Sequence, residues 1–145
     1  MIVIASDHAG VELKARIVEI LSQSGVEVRD LGPADATSVD YPDFAHRVAH
    51  AVSAGEAERG ILICGTGIGM SMAANRHPGV RAALCHDAFT AEMARLHNDA
   101  NVLCIGGRTT GIGVAEQIVQ LFLDTPFEGG RHQRRVDKIE NSQED

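Results

Sequence analysis

The sequence is short of aromatic residues, short of positive charge and free of long apolar runs, and each shortage removes a class of function. Aromatics make up 3% of the 145 residues, with one Tyr, four Phe and no Trp, which leaves no stacking platform for single-stranded nucleic acid. Lys and Arg number 13 against 20 Asp and Glu, a formal net charge of −7, so nucleic-acid backbones and anionic membranes are not attracted. Any phosphate bound here must be small and held locally. No apolar run approaches the roughly 18 residues needed to cross a bilayer. Met1-Ile2-Val3-Ile4 has no basic lead segment of the kind that opens a signal peptide. A cytoplasmic location is expected. Cysteine is scarce: Cys64, Cys85 and Cys104 are odd in number and widely spaced, which suits neither a disulfide framework nor a zinc site. Reduced thiols are expected, one of them chemical.

What remains is 15.4 kDa of chain with 44% apolar and 23% charged residues, the composition of one globular domain over residues 1–145. A chain of this mass buries about two-thirds of its unfolded surface and needs no covalent or metal staple. Short β-branched runs alternate with amphipathic stretches. Residues 2–5 read as a buried strand, and Leu13, Ile17, Ile20 and Leu21 fall at helical spacing before Gly25. A strand over 26–30 and a loop containing Gly32-Pro33 follow, then a helix from Asp40 to about Ala54, with Asp40 as acidic cap and Pro42 in its first turn. Strands are expected at 60–64, 80–84 and 102–105, with helices after Ser71, over 87–97 and over 111–123. The pattern predicts an α/β, three-layer αβα Rossmann-like fold with a five-stranded parallel sheet, whose ligands sit outside the carboxyl ends of the strands. Residues 129–137 form a basic patch and 141–145 a frayed tail.

Chemistry concentrates just after the strands. Asp7 and His8 follow the first, where they can act as acid, base or phosphate contact, or Asp7 can simply cap the next helix. The third opens into Cys64-Gly65-Thr66-Gly67-Ile68-Gly69-Met70-Ser71. Alternate glycines leave backbone N–H groups unshielded at a helix N-terminus, where they can surround an anion or a developing oxyanion. The same field favours a thiolate at Cys64, a nucleophile or a general base. Cys85 and Cys104 lack such a setting and read as strand packing. The loop is neither a Walker motif nor Gly-x-Gly-x-x-Gly and follows the third strand, so a nucleotide cofactor is not expected. His97 and Asn98 open a polar cluster that serves equally as proton donor or as helix terminus. Arg131 and Arg135, four apart, share a face if helical; two guanidiniums there suit a phosphate ester, or a solvated basic end.

Five segments together, Ser6 to Gly10, Asp40-Tyr41-Pro42, Cys64 to Ser71, His97 to Asn101 and Gly129 to Val136, resemble the type B ribose-5-phosphate isomerases over nearly the whole chain. The resemblance implies interconversion of ribose 5-phosphate and ribulose 5-phosphate through an enediolate, as part of pentose phosphate metabolism, without metal or cofactor. It makes Cys64 the base between C2 and C1. Gly65, Thr66, Gly67, Ile68, Gly69 and Ser71 would hold the enediolate oxygens, with Thr66 assisting proton movement. His97 would open the furanose ring, with Asp7 and Asn98 on sugar hydroxyls. His8, Arg131 and Arg135 would form the phosphate clamp, Arg108 a further ligand contact, and Tyr41 an aromatic beside the sugar. Members of the family form homodimers, in some cases tetramers, in which the partner supplies the histidine and arginines to each site.

The bottom-up chemistry agrees with these roles, because a C–H beside a carbonyl is too weak an acid for a thiolate unless the forming charge is neutralised by convergent donors. Two other readings stand beside this one. An isomerase on the same scaffold could act on galactose 6-phosphate, allose 6-phosphate or a tetrose phosphate. A sugar-phosphate sensor could keep the pocket without catalysis, although it would need no base and ring-opening acid together.

Overall fold

The structure, a computed structural model, describes residues 1–141. Side chains alternate along the three central strands, and this alternation sets the layers. In β1 (Ile2–Ser6) Ile2 and Ile4 face one side, Val3 and Ala5 the other. The same split recurs in β3 (Arg59–Cys64), with Ile61 and Ile63 opposite Leu62 and Cys64. In β5 (Val102–Gly106) Leu103 and Ile105 stand opposite Val102 and Cys104. Two apolar faces require two covers. The first is built by α1 (Val11–Gln23), α4 (Ala88–Leu96) and α5 (Ile112–Asp124), through Leu13, Ile17, Leu21, Ala91, Ala94, Ile118 and Phe122. The second is built by α2 (Tyr41–Ser53) and α3 (Ile68–Ala74), through Phe44, Val48, Val52, Met70 and Ala74. A last helix, α6 (Arg131–Glu140), buries His132 and Val136.

The sheet is five-stranded and parallel throughout, in the order β2-β1-β3-β5-β4. The chain steps outward from β1 to β2 and then crosses to the other side of β1 for β3. The crevice between the carboxyl ends of β1 and β3 is thus a topological switch point, the place where open α/β sheets bind ligands. Asp7 and Cys64 stand on its two sides.

Several local expectations change. The edge strands β2 (Val28–Asp30) and β4 (Ala82–Leu84) are shorter than the strands expected at 26–30 and 80–84. Val26 is consumed by the turn that ends α1, where Gly25 takes a left-handed φ of 76° and Val26 N donates to Leu21 O. At Arg81 the backbone N–H donates to the Asn101 side chain at 2.7 Å. Asp40 occupies the N-cap of α2 without a side-chain capping bond, whereas Asp87 caps α4 through a bond from Thr90 N at 2.7 Å. The basic patch is helical, so Arg131 and Arg135 do share a helix. Of the expected frayed tail, 142–145 lie outside the described residues.

Phe122 is fully buried on α5 and lies beneath the guanidiniums of Arg59 and Arg95, 5.6 and 5.9 Å from its centroid. Phe122→Ala is expected to lower stability by about 3–5 kcal/mol in urea unfolding. A loss under about 1 kcal/mol would mean that this layer does not hold the sheet.

Candidate active site

Cys64 ends β3 with its side chain 5% exposed, and the loop folds back so that Gly67 N donates to Sγ at 3.0 Å. Gly67 has φ 78°, and a Cβ there would lie 2.6 Å from Leu84 Cδ1 and 3.0 Å from the Ile105 carbonyl carbon. Only glycine fits, both in backbone conformation and in space. The rest of the loop is tied locally. Thr66 Oγ1 accepts from Ile68 N at 3.2 Å, Ser71 Oγ donates to Ile68 O at 2.7 Å, and Ser71 N donates to Gly67 O. Thr66 therefore keeps its own hydroxyl proton free to donate. Among the described residues no acceptor meets the N–H groups of Gly65 and Thr66.

The walls come from neighbouring elements. A Cβ on Gly69 would strike the Tyr41 ring at 2.5 Å, and one on Gly65 would meet Arg108 Cδ at 3.6 Å. Tyr41 and Arg108 thus lie against the two flanks of the loop. Asp7 Oδ1 accepts from Ala9 N at 2.9 Å and caps a single 3-10 turn, His8–Gly10. The capping reading of Asp7 is thus observed, and it occupies one carboxylate oxygen. His8 Nδ1 accepts from Val39 N at 3.2 Å, which assigns the ring proton of the neutral form to Nε2. Gly106-Gly107, not singled out from the sequence, closes the back: Gly107 N donates to Cys64 O at 2.7 Å, and a Cβ there would press on Ala9 O at 3.1 Å. A glycine pair directly after an apolar strand was the available signal. Burial pushes the Cys85 thiol up to about 11 and raises Cys104 further, in keeping with packing roles.

The remaining expected residues lie elsewhere. His97 is the C-cap of α4, and Asn98 to Asn101 lead into β5, where Asn101 O accepts from Gly60 N at the start of β3. Cys64 lies at the other end of that strand, paired with Gly106. At ~3.3 Å per residue, the five residues of β5 put about 16 Å between the two groups. The second group includes Arg131 and Arg135, because α6 starts beside His97. The rings of His97 and His132 stack with centroids 4.2 Å apart and planes at 10°. Glu128 places one carboxylate oxygen 4.0 Å from each Nε2. Glu128 and His132 were missed in the sequence because only the fold brings them to His97. Burial, reinforced by His97 and the nearby arginines, holds His132 below the ordinary histidine range.

Fold and loop define a doubly wound α/β protein with a glycine loop and a cysteine at the β1/β3 switch point. A family model described as ribose/galactose isomerase matches residues 2–139. The chain is 49% identical to the ribose-5-phosphate isomerase B of Escherichia coli over 133 residues, covering 92% of this chain and 89% of that one. It is 44% identical to the D-erythrulose-4-phosphate isomerase of Pectobacterium atrosepticum over 140 residues, 95% and 91% of the two chains. The structure of Clostridium thermocellum ribose-5-phosphate isomerase B superposes with a TM-score of 0.95 at 52% identity, covering 96% and 94%. This chain belongs to the ribose/galactose isomerase family. It is an aldose-ketose isomerase of the sugar-phosphate type. No helix among the described residues is long and apolar enough to cross a membrane.

Gly67→Ala is expected to cost about 2–5 kcal/mol of stability and to displace the loop from Cys64. Gly111→Ala, at φ −67° with open space around it, should be near neutral in the same thermal and activity measurements. Equal behaviour of the two variants would contradict the role given to Gly67.

Proposed function

We propose that the protein interconverts ribose 5-phosphate and ribulose 5-phosphate through a cis-enediolate, with Cys64 as the base and no metal or cofactor, in the cytoplasm. The observation that carries this reading is Cys64 Sγ at the mouth of a loop whose Gly67 N–H meets it at 3.0 Å, beside the open N–H groups of Gly65 and Thr66. On the open-chain aldose the Cys64 thiolate takes the C2 proton. The C2–H electrons form the C1–C2 double bond, and the carbonyl pair moves onto O1. The loop amides neutralise O1 and O2 in this state, which a thiolate facing bulk water could not do. Thr66 relays the O2 hydroxyl proton to O1. Cys64 returns its proton to C1, O2 becomes the carbonyl, and the base is regenerated. Asp7 holds a sugar hydroxyl, while His8 Nε2–H and Arg108 reach toward the phosphate end.

The ring-opening histidine must come from a second copy of the chain. His97, Asn98, Arg131 and Arg135 lie about a strand's length from Cys64, farther than a side chain spans. A two-fold dimer that lays each chain's α4/α6 end on the other's β1/β3 end completes two equal sites. Exposed apolar side chains support that contact: Ile68, Met72, Phe89, Ile112 and Val114 all stand on the first two turns of helices that begin at the Cys64 end. His97 would protonate the ring oxygen as the furanose opens, and the two arginines would clamp the phosphate in bidentate fashion. Remote phosphate binding then orients the reacting carbons.

A direct assay with a chelator present, run side by side on four-, five- and six-carbon sugar phosphates, tests the substrate. Ribose 5-phosphate is expected to turn over fastest; if the tetrose phosphate led, this chain would share the substrate class of its Pectobacterium relative. Cys64→Ser should lose about 10²–10⁴-fold in kcat while still binding ligand, and unchanged turnover would remove the thiolate. Arg135→Ala should act mainly on KM, whereas an effect confined to kcat would argue against a ground-state phosphate contact.

A further inference from the structure

Outside the glycine loop, three histidines stand near one another beside α2. His46 and His50 are four residues apart and share one exposed face of the helix. His77, from the turn between α3 and β4, meets the first of them: His46 Nδ1 lies 2.8 Å from His77 Nε2, with ring planes at 49°. That turn is fixed independently of the rings. Ser53 Oγ at the end of α2 donates to Pro78 O at 2.6 Å, His77 N donates to Ala74 O, and Val80 N donates to His77 O. We propose that His46, His50 and His77 form a surface site for one divalent transition-metal ion of the zinc, nickel and copper class, clamping α2 to the α3–β4 turn.

Two ring nitrogens this close require a proton between them, and a cation at the same point replaces it while the displaced proton moves to the far nitrogen of its ring. Neighbouring nitrogens on one ion with bonds of ~2.0–2.1 Å lie about 3.0–3.4 Å apart, so the His46–His77 pair opens by only a few tenths of an ångström. Two histidines at i and i+4 on a helix are a chelating spacing in their own right. His50, exposed and one turn along, supplies the third nitrogen by rotating about its own side-chain bonds. Three imidazoles suit zinc, nickel or copper, whereas magnesium and calcium require oxygen ligands. The set His97, Glu128 and His132 also gathers three donor groups. Arg131 and Arg135 stand next to it and oppose a cation, and the set belongs to the substrate site proposed above.

The test is calorimetric titration of tag-free protein with zinc chloride and nickel chloride, on the wild type and on His46→Gln, His50→Gln, His77→Gln and Glu128→Gln, with magnesium chloride as control. Circular dichroism establishes that each variant is folded, and a rise in Tm on adding zinc gives a second readout of binding. One ion per chain is expected, held at least about tenfold less tightly in each histidine variant and retained in Glu128→Gln. No binding by the wild type, undiminished binding in any of the three histidine variants, or loss in Glu128→Gln would overturn the proposal.

Discussion

The hydrogen bond from Gly67 N to Cys64 Sγ is the contact on which the site depends, because it sets where the sulfur sits and how the loop returns to start α3. It exists only because position 67 can adopt a left-handed φ and has no side chain to collide with Leu84 and the Ile105 backbone. The same turn leaves the N–H groups of Gly65 and Thr66 without acceptors among the described residues. In the reaction we propose, these open donors receive the charge that forms on the substrate oxygens.

The sheet then divides labour between its ends. Parallel topology sends β1 and β3 to the same edge, so Asp7 and Cys64 meet across the switch point. It equally sends the ends of α4 and α5, and the start of α6, to the opposite edge, where His97, His132 and Glu128 gather. A small α/β unit of this topology cannot bring those two sets together by itself. The acidic balance of the chain is compatible with phosphate chemistry for the same reason: the arginines of α6 are concentrated at one place instead of being spread over the surface.

How far these features could be read from the chain depends on how local their causes are. The five strands, their order along the chain and the glycine loop after β3 were legible, because each rests on a short pattern: an apolar run, a helical period, or alternate glycines beside a cysteine. The lengths of β2 and β4 were not, since they depend on a turn that absorbs Val26 and on an Asn101 side chain that takes the Arg81 N–H. Asp40 shows the limit of capping signals, as it holds the position without making the bond. Gly106-Gly107, Glu128 and His132 acquire meaning only from neighbours distant in sequence. The functional weight of His97 and Arg135 came from the resemblance and not from spacing, which left a helix terminus and a solvated patch equally open.

The central claim is that one chain's Cys64 works with another chain's His97, and mixing two inactive variants tests it most directly. Cys64→Ser and His97→Asn are each expected to be nearly inactive alone. Refolded together in equal amounts, half of the dimers should be mixed and each mixed dimer should hold one intact site, restoring about a quarter of wild-type activity. Mixed dimers that form but stay inactive would contradict the shared site.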